Sequence, residues 1–520
     1  ASLSIAVSGS RVYVAGYLSN SASNFANVLL GGTGPGTNTV VQHGASSTAN
    51  TDMLLLAYTD NGPSATLNWT QIGGGNYFDE GNSIAVNGSS VYVTGIISND
   101  RLNSQGVLFG GAGTQPGTAV QYGATSVGGN DLVVAKYTDH GNTATLAWTQ
   151  VGGGAGGDAG WGIAASGNSV YVTGGLDTDG ASTQAIVFGG AGATPGAAIQ
   201  GGVRLMGNYD IVVVKYFDTG PSAMVAWVQV GGGAGFDCGY GIAVSGSSVY
   251  VAGNIANDLT NSARVLFGGV TPQYGASAIG LTDIIVAKYT DNSSTATLNW
   301  TQVGGGTGND IGTAIAVNGH QLYVTGAISN DMANTNRVLF GGTGMTRGTA
   351  VQVGASTVSS TDIVLASYTD NGQSATLDWT QVGGGTLSDA GFGVAVHGSS
   401  VYVGGSIAPV ATFGGLSVAT PFKLDTHFLS GIGTPHIFYS QTDTFRLYPN
   451  PAHGTATVRV PAGAGPATLT LLDAQGRVVR TQTAAASTDV AFDLAGLAPD
   501  VYALRVQAGE AVATQQLLVE

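Results

Sequence analysis

Up to about residue 435, apolar and polar residues alternate in short bursts, and no burst reaches helical or membrane-spanning length. GNSIAV (ending at Val86), SVYVTG (ending at Gly95), DLVVAKYT (from Asp131) and ATLAWTQV (ending at Val151) are typical. Each is rich in Val, Ile, Tyr or Thr and bounded by turn residues, which predicts β-strands. NGSS-type turns join the first two and TDNG-type turns the last two, both hairpin chemistry. The set recurs. The VYV-type tyrosines Tyr13, Tyr92, Tyr171, Tyr250, Tyr323 and Tyr402 are spaced by 79, 79, 79, 73 and 79 residues. A period of this kind marks a solenoid, a propeller or an array.

Two features favour a propeller. Runs such as LVVAKY and IVVVKY are apolar on both faces, as in a sheet packed between two other sheets. Residue size also grows outward: Gly162, Ala164 and Ala165 on the first strand suit a crowded axis, and the fourth-strand Trp suits the gap where blades splay. The prediction is an all-β chain, with a six-bladed β-propeller over 1–435, seven-bladed if the chain is truncated. A linker at 436–444 and a small Ig-like β-sandwich over 445–520 follow. Between second and third strands lies an echo, VLFGG then AVQYGA, read as an extra hairpin. Six first and second strands face only five Trp-bearing fourth strands, so the missing partner is expected upstream of Ala1.

Composition narrows the function. The 85 glycines accompany 43% apolar residues, a balance that fits many short strands and not disorder. With 15 Lys and Arg against 30 Asp and Glu, the net charge is −15, which excludes nucleic acid as a partner. Cys238 is the only cysteine, and other copies place Glu80, Ala159, Ile311 or Ala390 there, so it reads as a tolerated variant. The seven His share no repeat position, and GxSxG, Walker and HExxH patterns are lacking. GGG runs are read as turns between strands.

The most regular polar residue is the Asp of GGGxxxDxG: Asp79, Asp158, Asp237, Asp310 and Asp389. Each could fix the turn by accepting backbone N–H groups, or join a set of acceptors for a ligand or cation. The turn is favoured, because calcium loops concentrate several oxygens in one segment. Asp177 and Asp179 in GLDTDGAS resemble the start of a calcium loop but lack its downstream ligands, so a plain turn is again favoured. No cofactor is required, and calcium is the metal these positions would suit. Trp161 breaks the pattern of Ser83, Tyr240, Thr313 and Phe392, and is a candidate platform for a sugar ring, although packing is favoured.

GYGIAVSGSSVYVAGN (239–254) followed by DIIVAKYTDNSSTATLNWTQVGG (283–305) resembles the SBBP-type bacterial β-propeller repeat of exported proteins. From Phe445 the period stops and Arg enters the strands. LYPNP (Leu447, Tyr448, Pro449, Asn450, Pro451), LLDAQGRVV with Gly476 and Arg477, DLAGLAPDVYALRV with Tyr502, and the terminal QLLVE with Leu517 and Val519 resemble the type A C-terminal sorting domain of the type IX secretion system of Gram-negative bacteria. Asp500 stands where that family usually has Gly, and Gln516 where it has Lys. The resemblance implies the type IX machinery as a partner and translocation across the outer membrane. Removal of the domain would follow, with release or attachment to surface lipopolysaccharide.

The expected function is therefore a non-enzymatic, exported binding, adhesion or scaffold protein, secreted or at the cell surface, with a glycan or protein ligand on the loop-rich face. The competing expectation is a secreted polysaccharide hydrolase or lyase with carboxylates in divergent loops, the segment 177–190 diverging most.

Overall fold

The computed structural model describes residues 2–19, 28–31, 40–45, 50–98, 106–125, 129–177, 186–198, 209–258, 260–268, 271–276, 281–329, 338–355, 360–407, 410–413, 416–419, 446–448, 452–459, 467–473, 477–485, 489–508 and 511–519. Among them every element is a β-strand, and every sheet is antiparallel. Two compact units are present, Ala1–His436 and Ile437–Glu520. The linker expected at 436–444 falls outside the described residues.

In the first unit the sequence period becomes a sheet. The second sheet shows the plan: Glu80–Asn87, Ser90–Ser98, Asn130–Asp139 and Ala144–Gly153 pair in order as a meander. Val, Ile and Leu point to both faces, and Val91, Val93, Leu132, Val133 and Val134 are fully buried, so this sheet is covered on both sides. Burial on both faces at roughly 25 cal/mol per Å² is what sustains strands this poor in charge. First strands of consecutive sheets lie side by side. They approach closely enough that a Cβ at Gly162 would lie 2.6 Å from the Tyr240 carbonyl oxygen, so small residues are needed there.

One sequence expectation is corrected, and the extra hairpin takes a place the sequence left open. The extra hairpin does not join the sheet of its own repeat. Val107–Gly111 and Ala119–Gln121 interrupt the second meander; Val107–Gly111 pairs with the fourth strand of the first sheet, Ala65–Gly74, and Ala119–Gln121 pairs with Val107–Gly111 at the edge. Four more sheets are extended in this way, giving five six-stranded sheets. The GGG run is not wholly a turn either. Gly152 and Gly153 continue the fourth strand, because glycine there lets two neighbours approach. A Cβ on Gly152 would overlap the Phe188 ring of the added hairpin, and one on Gly74 would overlap the Asp52 carboxylate.

The sixth sheet holds only Ala390–His397 and Ser400–Ser406 among the described residues.

The second unit has a three-stranded sheet (Arg446–Tyr448, Thr455–Arg459, Asp489–Asp493) and a four-stranded one ordered Val478–Ala484, Ala467–Leu472, Asp500–Ala508, Ala511–Val519. Their common core is Val458, Leu469, Leu471, Phe492, Leu504 and Leu517 with their neighbours.

Candidate functional site

Each seam between complete neighbouring sheets carries two carboxylates, one at either end of the strands. At the first end stands the Asp of GGGxxxDxG. The Asp79 N–H donates to the Thr51 carbonyl of the preceding sheet at 2.9 Å. Its Oδ2 accepts the Gly75 N–H at 2.7 Å and its Oδ1 the Ser98 N–H at 3.0 Å. Asp158, Asp237 and Asp310 repeat both side-chain bonds, and Asp389 accepts the Gly385 N–H. All five are fully buried. Burial pushes the carboxyls of Asp158, Asp237 and Asp310 up to about 7, against the pull of the backbone donors. Asp79 is displaced the same way. These carboxylates hold the crossing from one sheet to the next and present no oxygen to a surface ligand.

The opposite end was not singled out from the sequence. Asp218, the last residue of the third strand in the third sheet, accepts from three side chains of the second sheet. These are Lys136 Nζ at 2.6 Å, Tyr92 Oη at 2.7 Å and Trp148 Nε1 at 3.0 Å. Its own turn adds the Gly220 N–H at 2.8 Å. Asp291 receives Tyr171, Lys215 and Trp227, and Asp370 receives Tyr250, Lys288 and Trp300. In the first seam Ala57 occupies the Lys position, and Arg11 on the neighbouring strand supplies the cation to Asp139 at 2.7 Å. Burial raises each of these carboxyls, but the donors outweigh it. Lys136 leads for Asp218, and the net pKa lies below the ordinary value at Asp139, Asp218, Asp291 and Asp370. Burial and the Asp contact push the Tyr171 and Tyr250 hydroxyls up to about 12. The signal was the YTD or YFD ending every complete third strand, directly before the hairpin turn. An open, polar-lined hollow lies over the second seam, bordered by Tyr92, Lys136, Asn168 and Asp218.

The irregular candidates separate. Trp161 is half-buried and packs on Tyr240 of the next sheet with ring centroids 6.1 Å apart. Asp177 closes the second strand, its N–H donating to Asp158 Oδ1 at 2.9 Å. Asp179 lies outside the described residues, as does most of the divergent loop. No group of three or more His, Cys, Asp or Glu suited to a metal occurs among the described residues. Cys238 is buried, which raises its thiol pKa.

In the second unit the sorting motifs are part of the fold. Leu447 and Tyr448 lie on the strand Arg446–Tyr448, while Pro449, Asn450, Pro451 and Gly476 are outside the described residues. Arg477 is exposed and binds Asp473 at 2.7 Å. Tyr502, Leu504 and Val506 face the core, and the Tyr502 hydroxyl donates to the Ala498 carbonyl at 2.9 Å. Leu517 and Val519 are buried, so the end of the last strand is anchored in the core.

No curated protein matches this chain. No described helix is long and apolar enough to cross a membrane. Residues 446–520 match the family described as the secretion system C-terminal sorting domain, so the chain carries a type IX sorting tail and is exported, to the cell surface or the medium.

Proposed function

We propose that the first unit is a six-bladed β-propeller of SBBP-type repeats that acts as a non-enzymatic binding or scaffold module outside the cell. On this reading the second unit is an Ig-like sandwich that delivers it through the type IX machinery. The observation carrying the non-enzymatic reading is that the recurring Asp, Lys, Tyr and Trp are consumed in near-identical seams. An acid and a base need unlike surroundings to hold unlike pKa values. Repeated, equivalent sites do not provide that contrast. The side-by-side first strands and two-faced burial support the propeller, and the three- and four-stranded sheets over one core support the sandwich.

Binding is then expected at the less repetitive loops, and the ligand class is a glycan or a surface protein. A glycan array and a surface-protein pull-down with the full chain test this; two blank results would refute it. Turnover of a polysaccharide by the purified chain would establish the enzyme instead.

A further inference from the structure

In four of the five six-stranded sheets a threonine pair stands beside the turn that joins the third and fourth strands. Thr59 faces Thr66, Thr138 faces Thr145, Thr290 faces Thr297 and Thr369 faces Thr376. The turn secures the second threonine of each pair, through Asn61, His140, Asn292 or Asn371 at 2.9 Å. The third sheet departs at all three places. Phe217 faces Met224 there, and Thr219 in the turn donates instead to the Ser222 carbonyl at 2.9 Å. Phe217 is 42% exposed and Met224 58%. Leaving a phenyl ring and a thioether in water forgoes about 1.5–3 kcal/mol for each side chain that a core would have covered. A polar pair builds the same corner four times over, so folding does not account for the exchange.

Phe217 also borders the open hollow over the second seam, which has a volume of about 570 Å³. The charged groups in this wall are paired off, because Lys136 and Tyr92 both donate to Asp218. The rest of the wall offers neutral hydrogen-bonding side chains, among them Asn87, Asn168 and Thr219. The Asn87 amide is fixed by donation to the Gly167 carbonyl at 2.7 Å, which leaves its oxygen as a preset acceptor. Asn168 and Thr219 are exposed. A ring face beside neutral amides and hydroxyls matches a ligand that is apolar on one face and hydroxylated along its edge. We propose that this hollow binds neutral sugar residues of a glycan, with one pyranose ring lying on Phe217 and Met224 extending the platform. The C–H groups of the sugar meet the negative face of the phenyl ring, and the amides and hydroxyls take up its hydroxyl groups. Size decides between a sugar and a protein. The hollow falls within the roughly 300–1,000 Å³ of small-ligand sites, whereas two exposed apolar side chains are far short of the about 800 Å² that a protein partner covers on each side. The proposal narrows the binding reading above and rests on it.

The labelled full chain is applied to an array of neutral oligosaccharides of glucose, mannose, galactose and xylose, alongside the surface-protein pull-down, and each array hit is titrated by calorimetry. Phe217→Thr with Met224→Thr restores the pair used in the other four sheets. Its melting temperature should hold while its affinity for the hit falls at least about tenfold. Phe217→Tyr keeps a ring face and should still bind. Asn168→Ala, at an exposed position, should weaken binding severalfold, and it decides the matter if the double variant melts lower. Glycan binding that survives these changes overturns this site and leaves the binding reading standing. A blank array with a protein captured overturns the sugar assignment alone, and blanks in both refute the wider reading as well.

Discussion

The indole N–H of Trp148 reaches across a sheet boundary to Asp218, 3.0 Å away, on the carboxylate that Lys136 also holds at 2.6 Å. Both ends of the ion pair are nearly solvent-free, with side-chain exposures of 7% and 6%. A pair so buried returns little net stability, but breaking it strands a charge. Asp218→Ala should therefore cost about 3–5 kcal/mol. The double change Lys136→Met with Asp218→Leu should cost clearly less. Urea unfolding of the three proteins decides it; equal losses for single and double variants would contradict the account.

Strand and turn glycines differ in environment. Gly304→Ala would drive a methyl into the Phe340 ring, a buried overlap costing about 1–3 kcal/mol or more. Gly167, at φ +56° with nothing near its missing Cβ, should cost only the left-handed strain of about 1–2 kcal/mol on replacement by Ala. Combining Gly304→Ala with Phe340→Leu should recover part of the first loss and none of the second. Thermal melts provide the comparison.

Stability should peak in mild acid. Asp158, Asp237 and Asp310 sit near 7 when folded and near the ordinary carboxyl value, about 4, when unfolded, so they take up protons on folding. Their contribution is full below about pH 4 and is lost as pH rises through about 7. Asp139, Asp218, Asp291 and Asp370 are depressed, so theirs is present above about pH 4 and lost as pH falls through their folded values. Tm followed by circular dichroism should rise from pH 8 to about 5, then fall in stronger acid. Asp158→Asn should flatten the alkaline limb. A Tm that climbs steadily from pH 4 to 8 would rule this out.

Export should depend on the second unit being folded as well as present. Deleting 446–520 should retain the chain inside the outer membrane. Leu517→Ala, in a fully buried position, should cost about 2–5 kcal/mol and reduce export without touching the exposed Leu518. Leu518→Ala is the control, and fractionation of cells carrying each form gives the answer.

Much of the strand order was legible because one pattern is written six times, and hairpin partners are neighbours in sequence. Trp148 could be read as packing from its period alone. The seat around Asp218 was missed because Tyr92, Lys136 and Trp148 are ordinary strand residues, and Tyr92 stands 126 positions from the Asp218 it meets. Only the stacking of two sheets brings them together. The VLFGG hairpin was recognised as a hairpin, but the sheet it joins was not legible. Its strands carry no mark of which fourth strand they meet, and the preceding copy supplies that partner. Asp179 and the PNP stretch lie outside the described residues.

That displaced hairpin changes what counts as a removable piece. A cut between Ser98 and Val107 would detach neither half, because the hairpin beyond the cut remains bonded to the sheet before it. Excising one period at any point takes strands from two sheets and returns none whole. The chain is woven like cloth, so a protease nick between these strands should leave the fabric intact. Shortening by exactly one copy would succeed only if the two new ends inherit a matching thread.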